Sequence, residues 1–157
     1  MISLEVIGIR LLSPEDGPVL LLGEEGGTRS LPIWIGSGEA AAIAAALEDE
    51  VPQRPMTHDL LATLAARLGP AGEVFITGMH EGIYDAILRL GGEEFQIRPS
   101  DGVALAVRLG WPVRCPRALM DQVGVEVEGG GTDEVEAFRA FLDSVSAEDF
   151  EDEGPSQ

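Results

Sequence analysis

The chain has a single cysteine, Cys115, and no lysine among its 157 residues. One thiol excludes an internal disulfide and a cysteine-rich zinc site. Without lysine there is no Schiff-base chemistry and no P-loop, and the dinucleotide fingerprint, the serine elbow and the His-Glu-x-x-His zinc motif are absent as well. Long apolar runs are also missing. The longest, Ala40 to Leu47, has eight residues, against roughly 20 needed to cross a bilayer as a helix. The N-terminal Met1-Ile2-Ser3-Leu4-Glu5-Val6 lacks the basic stretch and apolar core of a secretory signal, so the expected compartment is the cytoplasm. Positive charge is scarce: ten arginines face 28 acids, for a net charge of −18. Residues 1–125 hold 17 acids and nine arginines, net −8, while residues 126–157 hold 11 acids and Arg139, net −10. A body of that sign repels phosphate backbones, so electrostatics alone would not hold nucleic acid. A polyanionic substrate would need a metal ion or a local arginine cluster.

What is present is a core. Hydrophobic residues make up 45% of the chain, enough for one folded domain at this length. Residues 2–11 alternate as a strand, Ser13 to Pro18 turns the chain, and Val19 to Leu22 is a second strand. Glu24-Glu25-Gly26-Gly27 reads as a hairpin turn, with Ser30 to Ile35 returning as a third strand. After Gly36-Ser37-Gly38, the alanine-rich Glu39 to Leu47 has the best available helix propensity. Pro52 and Pro55 separate it from a second helix opening at Thr57, in which Leu60, Leu61, Leu64 and Leu68 share one face. Val74 to Gly78, Ile83 to Leu90 and Glu94 to Arg98 are three more strands, and Ser100 opens a third helix that ends at Gly110. A short extended piece, Pro112-Val113-Arg114, follows.

Three strands and a helix therefore occur twice, and a shift of 62 residues lays Ile35 on Ile97, Glu39 on Asp101, Ala42 on Ala104 and Ile43 on Leu105. The expected fold is α+β: one compact domain from a duplicated β-β-β-α unit, an extra helix between the halves, and an acidic C-terminal helix. A pseudo-twofold axis would bring Glu39 and Asp101, each in a first helical turn, toward one cleft. The expected boundaries are a domain over 1–125, a glycine-rich linker over 126–131, and a helix and tail over 132–157, with Val135, Phe138, Leu142 and Val145 as its apolar stripe.

Four spaced motifs occur in one order: Leu31-Pro32-Ile33-Trp34-Ile35-Gly36; Glu39-Ala40 with Ala42-Ile43; Arg54-Pro55 with Thr57-His58-Asp59-Leu60-Leu61; and Arg98-Pro99-Ser100-Asp101 with Ala104-Leu105-Ala106. Together they resemble the bifunctional nuclease (BFN) domain family over about residues 1–125. The resemblance implies a compact α/β domain that associates with itself, and a nuclease activity toward both DNA and RNA. The chain departs from the family pattern at Glu81-Gly82-Ile83-Tyr84, where an Asp-Gly before an aromatic is common. It departs again at Gln96, where an acid usually stands two residues before Arg98.

Phosphodiester hydrolysis needs an activated water, a group that neutralises developing charge, and one that orients the phosphate. Carboxylates holding Mg²⁺ or Mn²⁺ together with an arginine meet all three needs. The candidate catalytic residues are Glu39, His58, Asp59, Arg98 and Asp101, with Glu39, Asp59 and Asp101 as metal ligands, His58 as base or ligand, and Arg98 as a phosphate clamp beside Arg54. Each acid also opens a helix, where a carboxylate is stabilising without further purpose. Arg98 has an internal salt bridge to Asp101 or Glu39 as its alternative. Trp34 and Trp111 read as packing residues and His80 as a turn residue; Cys115 has Arg114 and Arg117 nearby, which would lower its pKa, but no nucleophile motif surrounds it and it reads as structural. The leading expectation is a metal-assisted nuclease of low sequence specificity that self-associates. The alternative is a non-catalytic oligomeric module whose acidic tail docks a basic protein partner.

Overall fold

Residues 2–11 form the extended strand that their alternation demands, β1 (Ile2–Leu11), and glycine-bearing turns return the chain as β2 (Pro18–Glu24) and β3 (Arg29–Trp34). The computed structural model describes residues 1–11 and 15–126. The C-terminal helix and tail expected over 132–157, the expected 126–131 linker from residue 127 on, and the first residues of the turn before β2 lie outside the described residues.

Then come α1 (Ser37–Leu47), α2 (Thr57–Leu68), a second meander of β4 (Gly72–His80), β5 (Ile83–Leu90) and β6 (Glu93–Ile97), and α3 (Pro99–Leu109). The chain closes with β7 (Val113–Cys115), α4 (Arg117–Val123) and β8 (Val125–Glu126). All eight strands belong to one sheet in the order β6-β5-β4-β7-β1-β2-β3-β8. Neighbours are antiparallel except β4 and β7, which run parallel through Val74–Val113 and Phe75–Arg114. β7 also pairs with β1 through Ile2–Cys115 and Leu4–Val113, so it is the seam between the two meanders. Both meanders carry a register shift in their first hairpin, between Val6 and Gly8 and between Ile76 and Gly78. The element order β-β-β-α occurs on each side of α2, and α1 and α3 have 11 residues each.

Alternation along β2 decides the layers. Leu20 and Leu22 point into the main core with Leu31, Ile43, Val74, Ile76, Val103 and Leu105, while Val19 and Leu21 face a smaller cluster with Ile7 and Val125. The result is one compact mixed α/β domain. α3 is its central helix, with seven of its residues buried. Full burial of a side chain such as Leu105 stabilises by about 1.5–3 kcal/mol. Gly102 lets α3 lie directly on the sheet, because a Cβ there would meet Ile97 at 2.6 Å and Val74 at 2.8 Å. No helix among the described residues is long and apolar enough to cross a membrane.

α4 and β8 are additions to the sequence reading. Glu126, expected in the linker, is instead the last residue of β8, paired with Arg29. The α2 leucine stripe faces outward: Ala62 and Ala65 are buried, while Leu60, Leu64 and Leu68 are 54%, 55% and 62% exposed.

Candidate functional site

Three helix N-termini supply the polar cluster. α1 opens at Gly36, an extended N-cap. The Glu39 side chain folds back over it, so that a Cβ at Gly36 would collide with Glu39 Oε1. α3 opens at Arg98, also extended, with Pro99 in the first helical position, where the fixed φ of proline suits a helix start. Ser100 therefore sits inside the first turn, buried, rather than at the cap. α2 begins at Thr57 as expected, but its N-cap is Met56 and not the threonine. Its cap function passes to Asp59, whose Oδ2 accepts the Met56 N–H at 2.9 Å.

Arg98 binds Asp101 as a fork, Nε to Oδ2 at 2.7 Å and Nη2 to Oδ1 at 3.0 Å. The same Nη2 lies 3.6 Å from Glu39 Oε2. His58 Nε2 meets Asp101 Oδ1 at 2.9 Å. Glu39, Arg98, Asp101 and His58 thus form one chain of contacts joining α1, α3 and α2. Asp59 points elsewhere, its Oδ1 accepting from Arg108 Nε at 3.0 Å. Arg108 also donates to the Ala104 carbonyl at 2.8 Å and the Ala42 carbonyl at 3.0 Å, tying all three helices together.

Burial pushes the Asp101 carboxyl upward, but the hydrogen bonds from Arg98 and His58 outweigh it and leave the group below the usual carboxylate range. Asp59 is lowered as well, first by the Met56 N–H and then by Arg108. The bond to Asp101 raises the Arg98 guanidinium further. The acids are accordingly ionised at neutral pH and hold their cations as charge-assisted pairs.

Two hollows meet at the Glu39–Arg98 pair, which lines both. One, of about 1020 Å³, is lined by His58, Asp59, Asp101 and Arg108, with Val51, Met56 and Leu61 as apolar wall. The other, of about 620 Å³, is lined by Trp34, Met79, Ile83 and Tyr84. Trp34 is 43% exposed, an open wall of that hollow and not the packing residue its sequence context suggests. Tyr84 donates its hydroxyl to the Pro32 carbonyl at 3.0 Å, and burial pushes its pKa up to about 12.

A divalent ion on Glu39, Asp59 and Asp101 does not fit as a preassembled centre. Asp59 is committed to Met56 and Arg108, and both oxygens of Asp101 are committed to Arg98 and His58. Among the described residues no group of three or more His, Cys, Asp or Glu side chains could hold a metal.

Arg54 is exposed and makes no ion pair among the described residues. His80 is a surface residue 3.4 Å from Asp85. Trp111 packs against Gly72, where no side chain would fit beneath the ring. Cys115 is a buried packing thiol, and desolvation, helped by Glu24, raises it to about 11 in spite of Arg29. Arg108 is the residue that sequence reasoning missed. The sequence shows it only as a lone basic residue in the last turn of its helix, with nothing to name its partners.

A model of the bifunctional nuclease domain matches residues 19–128. The chain is also similar to two uncharacterized proteins of Mycobacterium tuberculosis, from strains CDC 1551 and H37Rv. Each is 45% identical over 159 residues, an alignment covering 94% of this chain and 97% of the relative.

Proposed function

Because the chain belongs to the bifunctional nuclease domain family, we propose that it hydrolyses phosphodiester bonds of DNA and RNA with low sequence specificity, using His58 as proton carrier. The observation that supports this reading is the His58–Asp101–Arg98 chain on the wall of the larger hollow. With Asp101 accepting from Nε2–H, the ring nitrogen left to take a proton is Nδ1, which has no hydrogen bond among the described residues. It takes the proton of an attacking water while the oxygen bonds to phosphorus, and returns it to the leaving oxygen as the P–O bond breaks. Asp101 orients the ring. Arg98 Nη1, which makes no hydrogen bond among the described residues, neutralises charge developing on the phosphate.

The test is hydrolysis of single-stranded DNA and RNA by the purified full chain in Mg²⁺, Mn²⁺ or EDTA, beside His58→Ala and Arg98→Gln. Loss of a proton carrier should slow cleavage by ~100-fold or more. Equal trace activity in all three proteins would sink the assignment, and the metal arms decide whether a divalent ion arriving with the substrate is required.

A second reading, a non-catalytic module whose acidic tail docks a basic protein, draws support from the same contacts seen differently. Asp59, Asp101 and Arg98 are all engaged by internal partners, as in a purely structural cluster. On that reading no arm shows hydrolysis, and deletion of residues 126–157 abolishes capture of the partner.

A further inference from the structure

β3 ends in a residue that the core does not claim. Leu31 and Ile33 are buried in the main core, so alternation turns the last residue of the strand, Trp34, to the other face, where it stays exposed. The tip of the β4–β5 hairpin borders the same hollow. Glu81 and Gly82 take positive φ values of 53° and 81° to make that tight turn, and β5 then opens with the exposed Ile83 and with Tyr84. These residues, with Met79 and Val123, enclose about 620 Å³, within the roughly 300–1,000 Å³ of small-ligand sites. Besides the Glu39–Arg98 pair, the lining holds Ser100. Ser100 is only 6% exposed, yet its hydroxyl makes no hydrogen bond among the described residues. Buried hydroxyls ordinarily have a partner, so the hollow contains a polar group still to be answered.

We propose that this hollow is a subsite for one unpaired base of the substrate strand, stacked on Trp34, and that the chain therefore acts on single strands in preference to duplex. The inference rests on the nuclease reading and names the form of its substrate. Charge supplies the first argument. A chain of net charge −18 gains nothing from a phosphate backbone, so affinity has to come from an uncharged contact, and stacking a base on an aromatic ring is one. A duplex brings twice the phosphate charge and keeps its bases inside the stack, so both effects favour a single strand. Indifference to sequence supplies the second. Every base has a π-face to offer Trp34, and the Ser100 hydroxyl can both donate and accept, so it can meet the polar edge of any base.

Position supplies the third. Arg98 lines both hollows, so a nucleotide bound across the border sets its base against Trp34 and its phosphate at Arg98, on the side of His58. The larger hollow offers no such platform, because no Phe, Tyr or Trp lines it. The polar chain His58–Asp101–Arg98 and the aromatic wall thus serve different parts of one nucleotide. Trp34 is also its own reporter. The chain has one other tryptophan, Trp111, and that ring packs on Gly72 away from this hollow.

The experiment titrates the full chain, in EDTA, with a short single strand of mixed sequence made as DNA and as RNA, with its complete duplex, and with the same sugar–phosphate backbone lacking bases. Tryptophan emission and the anisotropy of an end-labelled strand are the two readouts. The single strands should quench Trp34, and the duplex and the baseless backbone should not. Trp34→Phe should still bind but lose the quench, while Trp34→Ala should bind about tenfold more weakly and Ser100→Ala about threefold more weakly. All three variants should keep the far-ultraviolet circular dichroism spectrum of the wild type. Added salt should leave the affinity nearly unchanged, since phosphate contacts do not carry it. The proposal is overturned by a strand that fails to bind or binds without changing Trp34 emission, by Trp34→Ala binding as tightly as wild type, or by equal binding of the duplex or the baseless backbone. Emission that shifts with protein concentration and not with the strand also overturns it, by placing a protein surface in the hollow. Because binding is read without cleavage, the two readings fail separately. Equal kcat/KM for wild type and Trp34→Ala in Mg²⁺ or Mn²⁺ keeps the nuclease and removes the subsite, whereas a Trp34-dependent quench with no hydrolysis keeps the subsite and removes the nuclease.

Discussion

α2 and α3 are nearly equal in length, 12 and 11 residues, and both carry apolar residues at helical spacing. Their fates are opposite. α3 lies on β4 and β6 through Gly102 and buries Val103, Leu105 and Ala106, whereas α2 buries two alanines and turns its leucines outward. Helical periodicity therefore specifies that a face is apolar but not what covers it. In α3 the cover is the sheet, and in α2 polar contacts at His58 and Asp59 choose the rotation.

The contrast should be largest in stability. Leu105→Ala is expected to cost about 2–5 kcal/mol, while Leu64→Ala in α2 should stay within about 0.5 kcal/mol. Urea melts at low protein concentration would measure both. Equal losses would mean that the α2 leucines are covered within a single chain. Arg108→Ala comes next, at about 1–3 kcal/mol, because it removes the tie to Asp59 and leaves the Ala42 and Ala104 carbonyls without their donor. A melt indistinguishable from wild type would show that α2 is held by its alanines alone, and the contrast between the two helices would lose its polar cause.

The smallest effect is the pH dependence. Asp59 and Asp101 have folded pKa values below their ordinary 3.8. The stability they lend is therefore complete above that value and is lost as the pH falls through the lower folded values. The urea midpoint of wild type should drop on acidification below about pH 4, and Asp101→Asn should flatten part of that drop. A variant with the same acid slope as wild type would remove Asp101 from the account.

Much of this was legible in the sequence. Strand alternation and turn glycines placed the two meanders, alanine placed α1, and the acids and arginine at helix starts marked Glu39, Arg98 and Asp101 as residues that come together. Their meeting was readable because each sits at the first turn of its helix, and helix starts are what local sequence signals best. Long-range pairing was not readable. Nothing near Asp59 announces Arg108, 49 residues away, and an arginine in a last turn reads as a partner for the helix dipole. The same blindness hid the cluster in which Arg29 joins Glu24 and Asp121, with Arg117 3.8 Å from Glu24. α4 and β8 escaped because seven and two residues hold too little pattern to show a period.

The seam strand β7 has one more consequence. Its Cys115 is the protein's sole thiol, sealed between the meanders and protonated at neutral pH. An alkylating reagent can reach it only while the two halves are parted. The rate of labelling therefore works as a clock, counting excursions in which the halves separate, with no dye to attach and no engineered residue to introduce.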